Sequence, residues 1–170
     1  MSSLYQGLIE RIRGEVTDLE QVIERAEQSW LLSQQVSLVQ QHIYVDSVAL
    51  NLHGFYSGVE RLFELIARQV DHTLPEHSAW HRDLLQQMAQ DLPTVRPAVV
   101  SQENAAIIDE FRRFRHLVRN VYTINLAPEK MTGLMEALPK VVASVKGGVV
   151  SFCRLFGSNR YILVKYRSPA

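Results

Sequence analysis

The chain has 170 residues, in which 18 Lys and Arg balance 18 Asp and Glu and 46% are hydrophobic. That length supports one well-buried core rather than two full domains, and the neutral balance excludes a globally basic nucleic-acid binder, so any anion site must be local. A single cysteine, Cys153, excludes an internal disulfide and fits a reducing cytoplasm.

The opening "MSSLYQGLIERIRGEV" lacks the basic-then-apolar order of a secretory signal. Leu4, Leu8, Ile12, Leu19, Ile23, Ala26 and Trp30 recur at helical spacing with charges between them, which predicts an amphipathic helix from Leu4 to Leu31. The polar stretch "LLSQQVSLVQQ" bends or breaks it. A second long helix is predicted from about Val36 to Val70, where Gly54 and Gly58, four apart, let another helix come close.

"DHTLPEHS" reads as a loop, with Ser78 as the N-cap of a short helix over "AWHRDLLQQMAQ". The two prolines of "DLPTVRPAVVSQE" predict a second loop. Helical periodicity returns from about Glu103 to Tyr122, and "TINLAPEK" ends it. Pro128 then suits the first turn of a last helix reaching about Phe156, in which Pro139 and the pair Gly147–Gly148 predict a kink or a break. Lys140 and Lys146 interrupt the most apolar stretch, so no membrane span is expected. "YILVKY" has strand-like composition without an evident partner. The expectation is an all-α bundle of about five helices, one domain over 1–157 and a tail over 158–170.

The most informative stretch is "FRRFRHLVRNVYTINL", residues 111–126, which carries four arginines in a neutral chain. At about 100° per residue, Ile107, Phe111, Phe114, Val118 and Val121 form an apolar stripe. Arg112, Arg115 and Arg119 are expected on roughly the opposite side, with His116 and Asn120 flanking them one turn apart. A solvated cationic face accounts for such a run without any ligand. Guanidinium forks are also the usual grip on phosphate, and a histidine beside them can move a proton near neutral pH, a combination suited to RNA phosphate chemistry.

Arg115, the adjacent polar His116, Asn120 and Tyr122 resemble the motif of HEPN-domain proteins, and of HepT-like toxins in particular, over about Ala49 to Phe156. The resemblance implies a HEPN-like bundle dimerising through the motif helix and a metal-independent ribonuclease with a basic cleft at the dimer interface. It implies as partner a minimal nucleotidyltransferase antitoxin that silences the toxin by AMPylation of Tyr122. No cofactor or metal is implied. Arg115 would clamp the scissile phosphate, and Arg112 and Arg119 would hold flanking ones. Asn120 takes the place of the family's usual histidine; it can orient a substrate but cannot shuttle a proton, which leaves His116, the imidazole within the motif, as the expected acid or base, with Tyr122 shaping the cleft. The rival expectation is a catalytically silent HEPN subunit that binds a nucleotidyltransferase or nucleic acid.

Elsewhere, His77 and His81 are four apart in "HSAWH" but lack a third metal ligand, and a surface or capping role is expected for both. His42 and His53 read as packing or interhelical bonding, His72 as a loop residue, Trp30 and Trp80 as core or interface anchors. Cys153, among Val150, Phe152 and Leu155, reads as an inert buried thiol. "KGGVVS" lacks the preceding strand that a phosphate-binding loop needs.

Overall fold

The computed structural model describes residues 5–120 and 126–157. Five α-helices follow in order: α1 (Gln6–Ser33), α2 (Leu38–Ile66), α3 (Trp80–Met88), α4 (Gln102–Asn120) and α5 (Glu129–Gly157). Among the described residues there is no strand, and no helix is long and apolar enough to cross a membrane. The all-α bundle is as the periodicity predicts. The tail with "YILVKY", Val121 and Tyr122 lie outside the described residues.

Helices α1 and α2 form the long hairpin that organises the rest. Gly58 is in the close contact: a Cβ there would stand 2.6 Å from Leu19 of α1, and one at Gly54 would stand 3.5 Å from Val22. The apolar face of α2 runs through Val45, Val48, Leu52, Phe55, Val59, Leu62 and Ile66, all buried. Helix α4 crosses this face, and Phe55 meets Phe111 edge-on with ring centroids 5.2 Å apart. That contact fixes the motif helix against α2, one turn before Arg115.

Two features differ from the sequence expectation. The short helix α3 is preceded by Ala79 rather than capped by Ser78, and Ala79 makes no side-chain cap bond. A serine does cap the next helix: the Ser101 hydroxyl accepts from the Asn104 backbone N–H at 3.1 Å at the start of α4. Helix α5 runs unbroken through Pro139, Gly147 and Gly148, its buried face (Leu138, Val141, Val145, Val149) holding it together across the lost proline hydrogen bond.

Gly148 serves packing rather than flexibility. A Cβ at that position would lie 1.8 Å from the Val99 carbonyl oxygen, where the loop between α3 and α4 crosses α5. That loop is itself pinned, because Val99 N–H donates to the Met88 carbonyl at 2.8 Å. Gly148→Ala is therefore expected to lower unfolding free energy by about 1–3 kcal/mol through overpacking. Gly147→Ala, with nothing within 4 Å of the added atom, should instead stabilise by up to about 1 kcal/mol from helix propensity. Denaturant titrations of the two variants read the contrast directly; equal effects would contradict the packing role.

A π-helical turn, Ala67–Asp71, ends α2, and His72 closes it in the left-handed region at φ 53°. The widened turn brings Asp71 inward to Arg96. Arg96 Nε and Nη2 each donate to a different Asp71 carboxylate oxygen at 2.7 Å, a bidentate pair. Arg96 also donates to the carbonyls of Gln87, Gln90 and Pro97. The two side chains are 0% and 1% exposed.

Candidate functional site

Helix α4 carries the motif, but its faces divide differently from the expected stripes. Arg115 lies one turn beyond Phe111 and two beyond Ile108, both fully buried, and so belongs to the inward side of the helix. Its side chain is 17% exposed. It does not stand opposite the apolar stripe; it enters the bundle and meets α2.

What it meets is Glu60, whose side chain is 7% exposed. Arg115 Nη1 donates to Glu60 Oε1 at 3.2 Å and stands 3.5 Å from Oε2. The guanidinium also lies over the Tyr56 ring, 5.6 Å from its centroid. His81, from the first turn of α3, turns its Nδ1 onto Glu60 Oε2. One buried carboxylate thus gathers residues from three helices. Burial, the Glu60 charge and a hydrogen bond to Glu60 push the Tyr56 hydroxyl far above the ordinary tyrosine range, so it stays protonated. Arg115 Nε is buried without a hydrogen-bond partner.

His53, Tyr56 and Glu60 stand at i, i+3 and i+7 on one side of α2, the side that meets the arginines. Burial, then the charges of Arg115 and Arg119, lowers the His53 pKa below its usual value. His53 therefore stays neutral at physiological pH and adds no cation to the cluster.

The other motif residues are more exposed. Arg112 and Arg113 share the Asp109 carboxylate, at 2.6 and 2.9 Å, and Arg113 also pairs with Glu110. Burial pushes the Asp109 carboxyl up, but its hydrogen bonds to Arg112 and Arg113 and their charges outweigh this and hold it below the usual range. Arg119 is exposed and has neither ion pair nor hydrogen bond among the described residues. Asn120 Nδ2 donates to His116 Nε2 at 3.0 Å and to the His116 carbonyl at 2.9 Å, all on the exposed side of α4. The structure therefore brings Arg115 together with α2 and α3, pairs His116 with Asn120, and commits Arg112 to Asp109. Tyr122 lies outside the described residues.

Two participants, Glu60 and His81, come from outside the motif. Glu60 sits in "GVERLFELI", i+4 from Tyr56 and i−3 from Phe63, and a lone acid at the edge of a core stripe was the available signal. His81 is not the surface or capping residue expected: its side chain is 28% exposed, bonded to Glu60 and set against Trp80 with the rings tilted by 31° and their centroids 3.7 Å apart. His77, by contrast, is exposed and pairs with Asp83 at 2.8 Å. Among the described residues no three of His, Cys, Asp and Glu converge as a metal site requires. Cys153 is half-buried, and burial raises its thiol pKa against a smaller opposing effect of Arg13.

A bundle of five helices that carries the R-H-x3-N segment late in the chain fits the HEPN-like class that the motif resembles. The model of a family described as "HepT-like protein" matches residues 47–156. The chain belongs to this HepT-like family, and the matched span agrees with the extent of the resemblance read from the motif. No curated protein and no solved structure matches the chain.

Proposed function

We propose that this protein is the ribonuclease toxin of a toxin–antitoxin pair, cytoplasmic and homodimeric through α4, with residues 1–157 as one domain and 158–170 as a tail. The observation that carries the reading is the Glu60–Arg115 contact. It holds a mostly buried guanidinium through Nη1 alone and leaves Nη2 uncommitted to any hydrogen bond or ion pair among the described residues. A phosphate oxygen is the natural partner for that nitrogen. Exposed Arg119 extends the cationic surface, and Arg112 adds to it from its pair with Asp109.

In this scheme RNA supplies its own 2′-hydroxyl as nucleophile, and the protein needs no metal or cofactor. Arg115 stabilises charge on the scissile phosphate, Asn120 positions the substrate, and His116 is the imidazole nearest the arginine in sequence. Family membership supports a minimal nucleotidyltransferase antitoxin as partner, with Tyr122 as the residue it would AMPylate. A silent HEPN subunit that binds such a partner or nucleic acid is the second reading, and Asn120 in place of the family's histidine favours it.

Cleavage of a labelled single-stranded RNA by the full chain in chelator tests the proposal. Arg115→Ala is expected to reduce kcat/KM by about 100- to 1000-fold, as removal of a preorganised donor to a developing anion does. Cleavage that survives Arg115→Ala would sink the ribonuclease reading. RNA binding without cleavage by the wild type would establish the silent subunit.

A further inference from the structure

The ribonuclease reading leaves open which side chain takes the proton from the 2′-hydroxyl, and the hydrogen bonding around the two imidazoles near the motif separates them. His116 lies on the exposed side of α4. The Asn120 amide nitrogen can only donate, so the His116 Nε2 it contacts at 3.0 Å must be the acceptor. The basic lone pair of His116 is thus engaged within its own helix, and among the described residues no carboxylate bonds to the ring.

His81 has the opposite arrangement. Its Nδ1 faces the Glu60 carboxylate, which can only accept while ionised, so Nδ1 carries the hydrogen and, in the neutral ring, Nε2 carries the lone pair. That Nε2 has no hydrogen-bond partner among the described residues. Glu60 fixes the ring's tilt from one side, and Trp80 restrains its plane from the other. A carboxylate holding an imidazole through Nδ1 and leaving Nε2 open is the arrangement of a general base with its orienting acid. The same Glu60 oxygen that receives His81 lies 3.5 Å from Arg115 Nη1, so the base and the phosphate clamp are registered to one another through one carboxylate.

We infer that His81, oriented by Glu60, is the general base of this site, supplying from α3 the imidazole that the motif lacks at Asn120. The inference rests on the ribonuclease reading. Nε2 of His81 takes the 2′-hydroxyl proton as O2′ attacks phosphorus. The bond from phosphorus to the 5′-oxygen breaks, and the departing 5′-oxygen takes a proton from water. The products are a 2′,3′-cyclic phosphate and a 5′-hydroxyl, and His81 returns its proton to solvent. Arg115 neutralises the phosphate oxygens throughout, and Glu60 is a positioning residue that touches no substrate atom.

The test uses the full chain and an RNA oligonucleotide, comparing wild type with Arg115→Ala, His81→Gln, His81→Ala and His116→Gln. The expected result is a loss of about 100-fold or more in His81→Gln, within the range that general-base catalysis contributes, and a smaller loss in His116→Gln. Imidazole added to the buffer should restore part of the activity of His81→Ala and none of that of Arg115→Ala. Such rescue separates lost chemistry from lost folding. Full cleavage by His81→Gln, or no rescue of a His81→Ala protein whose circular dichroism and RNA binding match wild type, overturns the assignment while Arg115-dependent cleavage keeps the ribonuclease reading. An inactive wild type overturns both.

Discussion

Replacing Arg96 with leucine, or Asp71 with asparagine, is expected to cost about 3–5 kcal/mol of unfolding free energy, the range found when one partner of a buried ion pair is removed. Both side chains are almost wholly excluded from solvent, so the survivor keeps its charge or its hydrogen-bonding demand without an answer. In Arg96→Leu, the Asp71 carboxylate retains, among the described residues, only the Gln87 side-chain amide, at 2.6 Å. The carbonyls of Gln87, Gln90 and Pro97 also lose the donor that now serves them. The double variant Arg96→Leu/Asp71→Asn should cost less than the sum of the single changes, because the buried charges disappear together. It should not reach wild-type stability, since the three carbonyls remain unserved. Guanidinium titrations of the four proteins check this. A single-variant loss below about 1 kcal/mol would mean the loop joining α3 to α4 can relax to admit water, against the near-zero exposure of the pair.

That pair also shows where reading from sequence stops. The helices were legible because their apolar period is local: Val45, Val48, Leu52, Phe55 and Val59 announce a buried face from within α2. Gly54 and Gly58 announced the approach of α1 by the same local logic. Asp71 and Arg96 stand in loop-like sequence 25 positions apart, and no periodicity couples them; only the π-helical turn and the path of the following loop bring them together. Gly148 is similar. A glycine pair inside an apolar run suggests a bend, and whether it bends or receives a crossing carbonyl depends on Val99, which is far away in sequence.

The site divides along the same line. Arg115 and its neighbours were found from the motif, which is local. The direction of Arg115 was also available locally, since i+4 from Phe111 and i+7 from Ile108 places it with the core stripe. Grouping the arginines by charge concealed this. The partners Glu60 and His81 come from other helices and have weak signals of their own: one acid beside core positions and one histidine at a helix start.

Glu60→Gln tests whether that gathered carboxylate is the organising element of the site. The substitution keeps shape and one acceptor oxygen but removes the charge that answers Arg115, so a stability loss of about 2–4 kcal/mol is expected for a mostly buried guanidinium left unpaired. A purely structural Glu60 would show that loss and nothing more. As the residue that orients His81, it should also change a property unrelated to folding. In wild type the Nδ1–H tautomer of His81 should dominate in nitrogen-detected NMR spectra, because only that form donates to the carboxylate. In Glu60→Gln the amide can accept from Nδ1 or donate to it, so both tautomers should appear. RNA cleavage should then fall further than the folded fraction does, by about tenfold or more, as the lone pair leaves Nε2 in part of the molecules. A single unchanged tautomer with cleavage tracking the folded fraction would reduce Glu60 to a structural counter-ion. Faster cleavage in Glu60→Gln would reverse its role: the carboxylate would then restrain Arg115 from the phosphate rather than present it.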